Sequence, residues 1–234
     1  MNDYRDSRWA DPEFSDNYAN NADSIILERH RLIGVLKSFY GHFMAERGHV
    51  DVLDLGCGDG TLTLELMKEY SNFSAMLLDG SEDMLKKAKE RVHGSRVEFV
   101  NASFQEVLGG KFDLPEFDFI FSSLAIHHLE TEEKEDLYAY IRDSLRQEGA
   151  FVNIDVVLPP SEDLEKWYLD IWRDWVDETD SEEDGLELIN RYKGNQDNKP
   201  DTLQHQLDML NRLGFKDVDC YYKNGIFAVF GGKK

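Results

Sequence analysis

The segment Val52-Leu53-Asp54-Leu55-Gly56-Cys57-Gly58-Asp59-Gly60 passes from an apolar run into glycine at every second position. A short apolar run ended by glycine reads as a buried parallel strand, and from Thr61 onward Leu62, Leu66 and Met67 fall on one face of a helix. Glycines between strand and helix allow a tight turn and let a ligand approach the backbone at the helix amino end. A dinucleotide-binding turn has a further glycine three residues after its second one; that position is Thr61 here, which disfavours NAD. A phosphate loop ends in Gly-Lys-Ser/Thr, which the chain lacks, so kinase and GTPase readings fall away.

Outward from that loop, strand and helix alternate. Ala75-Met76-Leu77-Leu78 gives a second strand, and Ser81-Glu82-Asp83 opens a helix with a hydroxyl cap and acids in its positive first turn. Val97-Glu98-Phe99-Val100 and Phe117-Asp118-Phe119-Ile120-Phe121 read as the third and fourth strands. Thr131 is expected to cap an acidic helix reaching Leu145, and Gly149 to introduce a fifth strand over residues 150–157. Near the carboxy terminus two more strands are joined by Asn224-Gly225, a turn so tight that they must run antiparallel. The predicted fold is α/β, a three-layer, doubly wound, mostly parallel seven-stranded sheet with an antiparallel final strand. Apolar residues at helical spacing over 22–44 (Ile25, Ile26, Ile33, Leu36, Phe39, Phe43) predict an amino-terminal helical lid over residues 1–48. Residues 49–234 then form the main domain, with a helical insertion at about 161–200 that carries Trp167, Trp172 and Trp175.

With 41% hydrophobic and 12% aromatic residues, 234 residues suffice for a sizeable core. The 47 acidic and 26 basic residues leave a net charge of −21. Such a surface repels phosphate backbones and anionic membranes, which argues against nucleic acid and membrane as partners. No stretch approaches the roughly 20 apolar residues of a membrane helix, and the amino terminus shows no basic start followed by an apolar run. Cys57 and Cys220 are too few for a disulfide framework or a zinc cluster. The chain reads as cytoplasmic, and as a monomer or homodimer.

Asp79 ends the second strand, where an acid can accept hydrogen bonds from two adjacent ribose hydroxyls; the competing reading is a plain helix cap. Three motifs in order, Asp54-Leu55-Gly56-Cys57-Gly58-Asp59-Gly60, Asp79-Gly80-Ser81-Glu82-Asp83-Met84-Leu85 and Ala125-Ile126-His127-His128-Leu129, resemble the class I S-adenosylmethionine-dependent methyltransferases. The resemblance covers roughly residues 50–234 and implies S-adenosyl-L-methionine as cofactor. It implies that Gly56, Cys57, Gly58 and Gly60 let the loop approach the methionine and ribose portion, with Asp54 helping to anchor the amino group. Asp79, with Gly80, would grip the ribose diol, and Met84 would pack on adenine. The family commonly has an acid after the third strand that accepts from the adenine amine, whereas this chain has Asn101-Ala102-Ser103-Phe104. Ser103 or Asn101 would accept that bond, with Ala102 and Phe104 nearby. Ser122 and Ser123 would lie beside the methionine moiety. Amino-methylating nucleic-acid enzymes carry Asn/Asp-Pro-Pro-Tyr/Phe there, and this chain has Ser122-Ser123-Leu124-Ala125.

Methyl transfer from a sulfonium is an in-line displacement that needs mainly alignment and desolvation, with proton removal where the nucleophile is weak. His127 lies just beyond the fourth strand as a candidate base, or else packs locally. Asp155 ends the fifth strand, where it would orient an amine or hydroxyl, or else is a satisfied acid near a loop. No helical His spacing supports a metal site. Tyr18 and Arg29 are candidates to close over the cofactor, and Trp167 and Trp172 to cover a flat substrate, against the plain alternative of core packing. Together these residues read as methyl transfer to a small-molecule acceptor, with the acceptor atom (O, N, S or C) open. The alternatives are a cofactor-binding protein with non-methyl chemistry, such as carboxyl-modified cofactor synthesis, or a non-catalytic regulatory role. Carboxyl chemistry calls for an added basic contact near the methyl position, and the sequence shows no obvious one.

Overall fold

The computed structural model describes residues 21–179 and 183–234, and within them strands and helices alternate along the chain. The strands are β1 (Val50–Leu55), β2 (Phe73–Asp79), β3 (Val97–Asn101), β4 (Phe117–Ser123), β5 (Leu145–Val156), β6 (Lys216–Asn224) and β7 (Phe227–Lys233). The helices are α1 (Arg29–Phe43), α2 (Thr61–Met67), α3 (Glu82–Arg91), α4 (Phe104–Leu108), α5 (Thr131–Ser144), α6 (Glu162–Glu178), α7 (Gly185–Lys193) and α8 (Leu203–Arg212). The first 20 residues of the expected lid, Tyr18 among them, lie outside the described residues.

All seven strands form one sheet in the order β3-β2-β1-β4-β5-β7-β6. The first five pair in parallel, and β7 enters antiparallel between β5 and β6. Parallel neighbours need long crossovers, so helices cover both faces and the sheet becomes the middle of three layers, as the alternation predicts. Along β1 the side chains alternate between faces. Val50 and Val52 join the buried cluster under α1, while Leu53 and Leu55 join the cluster under α5 and α8. Asp54 therefore shares a face with Val52 and meets α2, where it accepts a hydrogen bond from Thr63.

Two expected boundaries are corrected. Glu130, not Thr131, caps α5, in a reciprocal box with Glu133, because the Thr131 hydroxyl is drawn away to donate to Asp201. The fifth strand begins at Leu145, before Gly149 rather than after it. Leu145 pairs with Phe117, then the register slips at a bulge until Ala150 pairs with Phe119, with Glu148 in the left-handed region (φ 63°).

The inner ladder between β5 and β7 requires bare backbone at Gly231. A Cβ there would stand 2.0 Å from the Phe151 carbonyl oxygen, and main chain cannot rotate away as a side chain can. Gly231→Ala is expected to lower stability by about 3 kcal/mol, at the upper end for overpacking. Denaturant titration reads it as a lower midpoint at unchanged slope; a loss below about 0.5 kcal/mol, the scale of a neutral surface change, would show that the two strands part freely.

Candidate functional site

Strand order reverses at β1, between β2 and β4, and open α/β sheets hold ligands in the crevice beyond the carboxyl ends of strands at such a point. The glycine loop is built there. Gly56, Gly58 and Gly60 all have positive φ (75°, 53° and 76°), a region that residues with a Cβ enter only at a cost. Space matters as well: a Cβ on Gly56 would meet that of Ala125 at 2.7 Å, and one on Gly60 would meet Val92 Cγ2 at 2.8 Å. The loop is pinned to the end of β2. Gly56 and Cys57 N–H both donate to the Leu78 carbonyl (2.8 and 3.0 Å), and Gly58 N–H donates to Asp79 Oδ2 at 2.8 Å.

These bonds leave an open cleft. Its floor is Asp54, Gly56, Cys57, Gly58 and Asp59, continued by Thr61 and Leu62 of α2 and by Met84 of α3. Ser123 and Leu124 close one side, Leu124 in the left-handed region (φ 52°), and Ala22, Ile26 and Arg29 close the other. Arg29 pairs with Asp23, and its neighbour Glu28 accepts from Tyr222 and Asn224, which anchors the start of α1 to the β6–β7 hairpin. Gly60, Asp79, Gly80, Ala102, Ser103, Phe104 and Ser122 do not form the wall of this cleft. They hold it up from behind or flank it at the ends of β2 and β3.

The cleft is acidic at its base. Asp54 is buried and accepts from Thr63 Oγ1 at 2.6 Å. Burial pushes its carboxyl up to about 7, and the charges of Asp79 and Asp59 add to the effect. Burial also raises Asp79, against the pull of its bonds from Ser81 and Gly58 N–H. Asp59 is braced by Arg91 and by both the N–H and hydroxyl of Thr61. Burial raises the Cys57 thiol, which keeps it protonated.

At the adenine end expected from the motif order, side-chain donors and caps tie the ends of β2 and β3 together. Asn101 Nδ2 donates to the carbonyls of Asp79 and Gly80 (3.0 and 3.1 Å). Ser103 caps α4 in a reciprocal box with Glu106, and Ala102 N–H donates to the Asp79 carbonyl at 3.0 Å. Phe104 packs beneath Gly56. Ser122 is buried and donates to the Leu55 carbonyl at 2.7 Å, tying β4 to β1.

Beyond β4 a second constellation forms. His127, in the short 3-10 helix Ile126–His128, is buried, and its Nδ1–H donates to Asp155 Oδ1 at 2.5 Å. With that proton on Nδ1, a neutral imidazole keeps its lone pair on Nε2. Asp155 also accepts from Val156 N–H (2.9 Å) and from Asn153 (3.2 Å). His128 Nδ1–H donates to the Asp197 carbonyl at 3.0 Å, and burial and His127 hold it well below the usual range, so it stays neutral. Trp172 is buried, donates to the Ile25 carbonyl at 2.6 Å and meets Tyr192 and Phe227 edge-on, whereas Trp167 stands exposed. Among the described residues no group of three or more His, Cys, Asp or Glu is placed to hold a metal ion, and no helix is long and apolar enough to cross a membrane.

Ser123 lines the cleft as the motif order placed it, and Ile26 comes from the expected lid. The sequence reading gave no role to several other residues of the cleft: Asp59 lies within the first motif and Thr61 and Leu62 follow it, so they were findable by proximity, whereas Ala22 and Leu124 carry no local signal, since only packing brings them to the rim.

Residues 52–149 match a family model described as a methyltransferase domain. The carboxy-S-adenosyl-L-methionine synthase of Nautilia profundicola is 29% identical over 182 residues, which is 76% of this chain and 75% of that protein. An O-methyltransferase family protein from Burkholderia thailandensis shares the fold at a TM-score of 0.68 and 14% identity, over 98% of this chain and 62% of that one. The phosphoethanolamine N-methyltransferase 2 of Haemonchus contortus, solved with S-adenosyl-L-methionine, gives a TM-score of 0.65 at 18% identity, over 92% of this chain and 44% of that one. The chain thus spans less than two thirds of both solved chains.

The raised Asp54 carboxyl has a measurable consequence. Folded Asp54 keeps a proton that the unfolded chain releases near its ordinary value of 3.8, so its contribution to stability falls as pH rises from there to about 7. Thr63→Val removes the hydroxyl that favours the charged form, and is expected to move the Asp54 midpoint above about 7. Carbon-13 NMR of the carboxyl reads it, and an unmoved or lowered midpoint would contradict the assignment.

Proposed function

The chain belongs to the class I S-adenosylmethionine-dependent methyltransferases, and from that premise we propose that it methylates a proton-bearing small molecule by in-line displacement. S-adenosylmethionine, when bound, supplies an electrophilic methyl group on a sulfonium. The observation that carries the proposal is the cleft itself: left-handed glycines that admit a ligand to the backbone, over a base formed by the carboxyls of Asp54 and Asp59. Such a base suits a ligand with a cationic sulfonium and amino group.

In this reading Asp54 receives the amino group, while Gly56, Cys57, Gly58 and Gly60 shape the backbone to the methionine and ribose. Asp79, with Gly80, holds the diol through lone pairs left after its bonds to Gly58 and Ser81, and Met84 packs on the base. Ala102, Ser103 and Phe104 form the adenine end, where Asn101 Oδ1 or the Ser103 hydroxyl accepts from the adenine amine, since Asn101 spends only its Nδ2 donor on the loop. Ser122 sets the strand spacing beneath the methionine. His127 is the catalytic base, oriented by Asp155. It stands three residues past the cleft wall at Leu124, its Nε2 lone pair suited to take the proton of a hydroxyl or similar acceptor. Arg29 closes over the cofactor from the start of α1, and the insertion at about 161–200 covers the acceptor with Trp167 exposed on it and Trp172 packed as its support. The protein works in the cytoplasm as a monomer or homodimer, without nucleic-acid or membrane partners.

One observation favours a second reading, the making of a carboxylated S-adenosylmethionine: Arg29, expected from the sequence to close over the cofactor, places a basic group in the cleft wall. The mass of the nucleoside carried by the purified protein separates the two readings.

Calorimetric titration with S-adenosylmethionine and S-adenosylhomocysteine tests the cofactor assignment, and binding of neither would sink it. Because a cationic amino group favours the charged carboxylate, binding should expel the Asp54 proton. Affinity for S-adenosylmethionine is therefore expected to rise with pH up to about 7, by at most about tenfold per pH unit, and to level off above it. A pH-independent affinity would remove Asp54 from the site. Incubation of methyl-labelled cofactor with a metabolite extract reads transfer, and His127→Ala is expected to slow it by about a hundredfold or more at unchanged cofactor affinity. An unchanged rate would assign His127 to packing.

A further inference from the structure

Behind the His127–Asp155 pair runs a chain of buried polar groups that none of these roles uses. Asp155 Oδ2 accepts from Asn153 at 3.2 Å, and on the same side of the sheet stands the buried Tyr138. Tyr138 donates to Gln206 Oε1 at 2.6 Å, and Gln206 Nε2 donates to the Asp201 carbonyl at 3.3 Å. The Asp201 carboxylate pairs with the Lys134 ammonium at 2.7 Å, and Lys134 donates as well to the Lys199 carbonyl. Lys199 N–H then donates to the carbonyl of His127 at 2.8 Å. The run from Tyr138 thus ends on the backbone of His127, whose ring Asp155 holds from the other side.

Lys134 is the unusual member, because its side chain is 0% exposed. An ammonium removed from water persists only where a counter-charge and acceptors replace its hydration. Here those partners come from residues 199–201, in the segment between α7 and α8. The same segment holds both histidines through its backbone, the Asp197 carbonyl on the His128 ring and Lys199 N–H on the His127 carbonyl. Its far end is fixed by Thr131, which donates to the Asp201 carboxylate at 3.0 Å, and by Leu158 N–H on the Asp201 carbonyl at 2.9 Å.

We propose that Lys134 and Asp201 are positioning residues: their buried ion pair holds residues 197–201 so that Lys199 fixes the backbone of His127 and the ring keeps Nδ1–H on Asp155. This rests on the reading of His127 as the base. A pair that merely docked α8 would add stability and leave the ring of His127 as it is.

The double variant Lys134→Met/Asp201→Asn removes both charges without stranding either one, which is the tolerated way to lose a buried pair. Nitrogen-15 NMR of the full chain reports which ring nitrogen of His127 carries the proton, with His127→Gln assigning the resonances and Asp155→Asn marking the released ring. The folded double variant is expected to bind S-adenosylmethionine as the wild type does, to show mixed His127 tautomers, and to transfer label about a hundredfold more slowly, the scale of a misplaced catalytic group. A folded double variant with the wild-type tautomer overturns the proposal. Asp201→Asn alone, which keeps an acceptor for the ammonium, is held to the same criterion, and loss of the fold in both variants makes the pair a core element and overturns it too. Failure of the methyltransferase reading shows separately, as no label transfer by the wild type, and leaves the tautomer result standing.

Discussion

The carbonyl of Leu78 accepts hydrogen bonds from Gly56 and from Cys57, and the cleft takes its shape from that pair of hydrogen bonds. It turns the chain sharply as it leaves β1, so the next residues must run through left-handed backbone that glycine alone enters freely. Gly58 N–H then falls on Asp79, one residue beyond Leu78, and Gly60 packs against Ala88 and Val92 at the back of α3. Loop, second strand and two helices are thereby locked into one unit, and Asp54 and Met84 face the same space.

Two kinds of electrostatics meet at the carboxyl edge of the sheet. Under α2, Asp54, Asp59 and Asp79 crowd one another, and with water largely removed the charged form of Asp54 is disfavoured until a cation arrives. On β5, Asn153 and Asp155 alternate with Val152, Ile154 and Val156, whose side chains join the cluster under α1, so the two polar side chains point to the α5 and α8 side. There Asp155 meets a ring nitrogen rather than other carboxyls, and close by Tyr138 and Gln206 satisfy one another in the core. The buried Asn153 Oδ1 is left without a partner. The sheet keeps the three crowded carboxyls apart from the carboxyl that meets an imidazole.

The helices after β5 join the rim to the rest of the molecule. Trp172 of α6 reaches back to the Ile25 carbonyl, beside the residues that close the cleft, and packs on Phe227 of β7 and Tyr192 of α7. Glu28 does the same from the other direction through Tyr222 and Asn224. The wall formed by Ala22, Ile26 and Arg29 is therefore supported from two directions by segments far away in the chain.

Local chemistry sufficed for the frame. Alternating apolar runs and helical stripes gave the parallel sheet, the Asn224-Gly225 turn gave the antiparallel end, and glycine spacing after β1 marked the ligand loop, because each signal rests on neighbours a few residues apart. Where a residue's partner is remote, the chain was silent. Nothing near Lys134 announces a buried ammonium, since its counter-ion Asp201 lies 67 positions away and the two meet only when α5 and α8 pack side by side. His127 and Asp155 were visible as separate candidates, but their union awaited the parallel pairing of β4 and β5. Thr131 looked like a helix cap until tertiary contact offered its hydroxyl a better partner. Sequence thus set the strand order's raw material and the glycine loop, which are local; packing set the charge states, the rim and the setting of the histidines, because burial and long-range partners exist only in the folded chain.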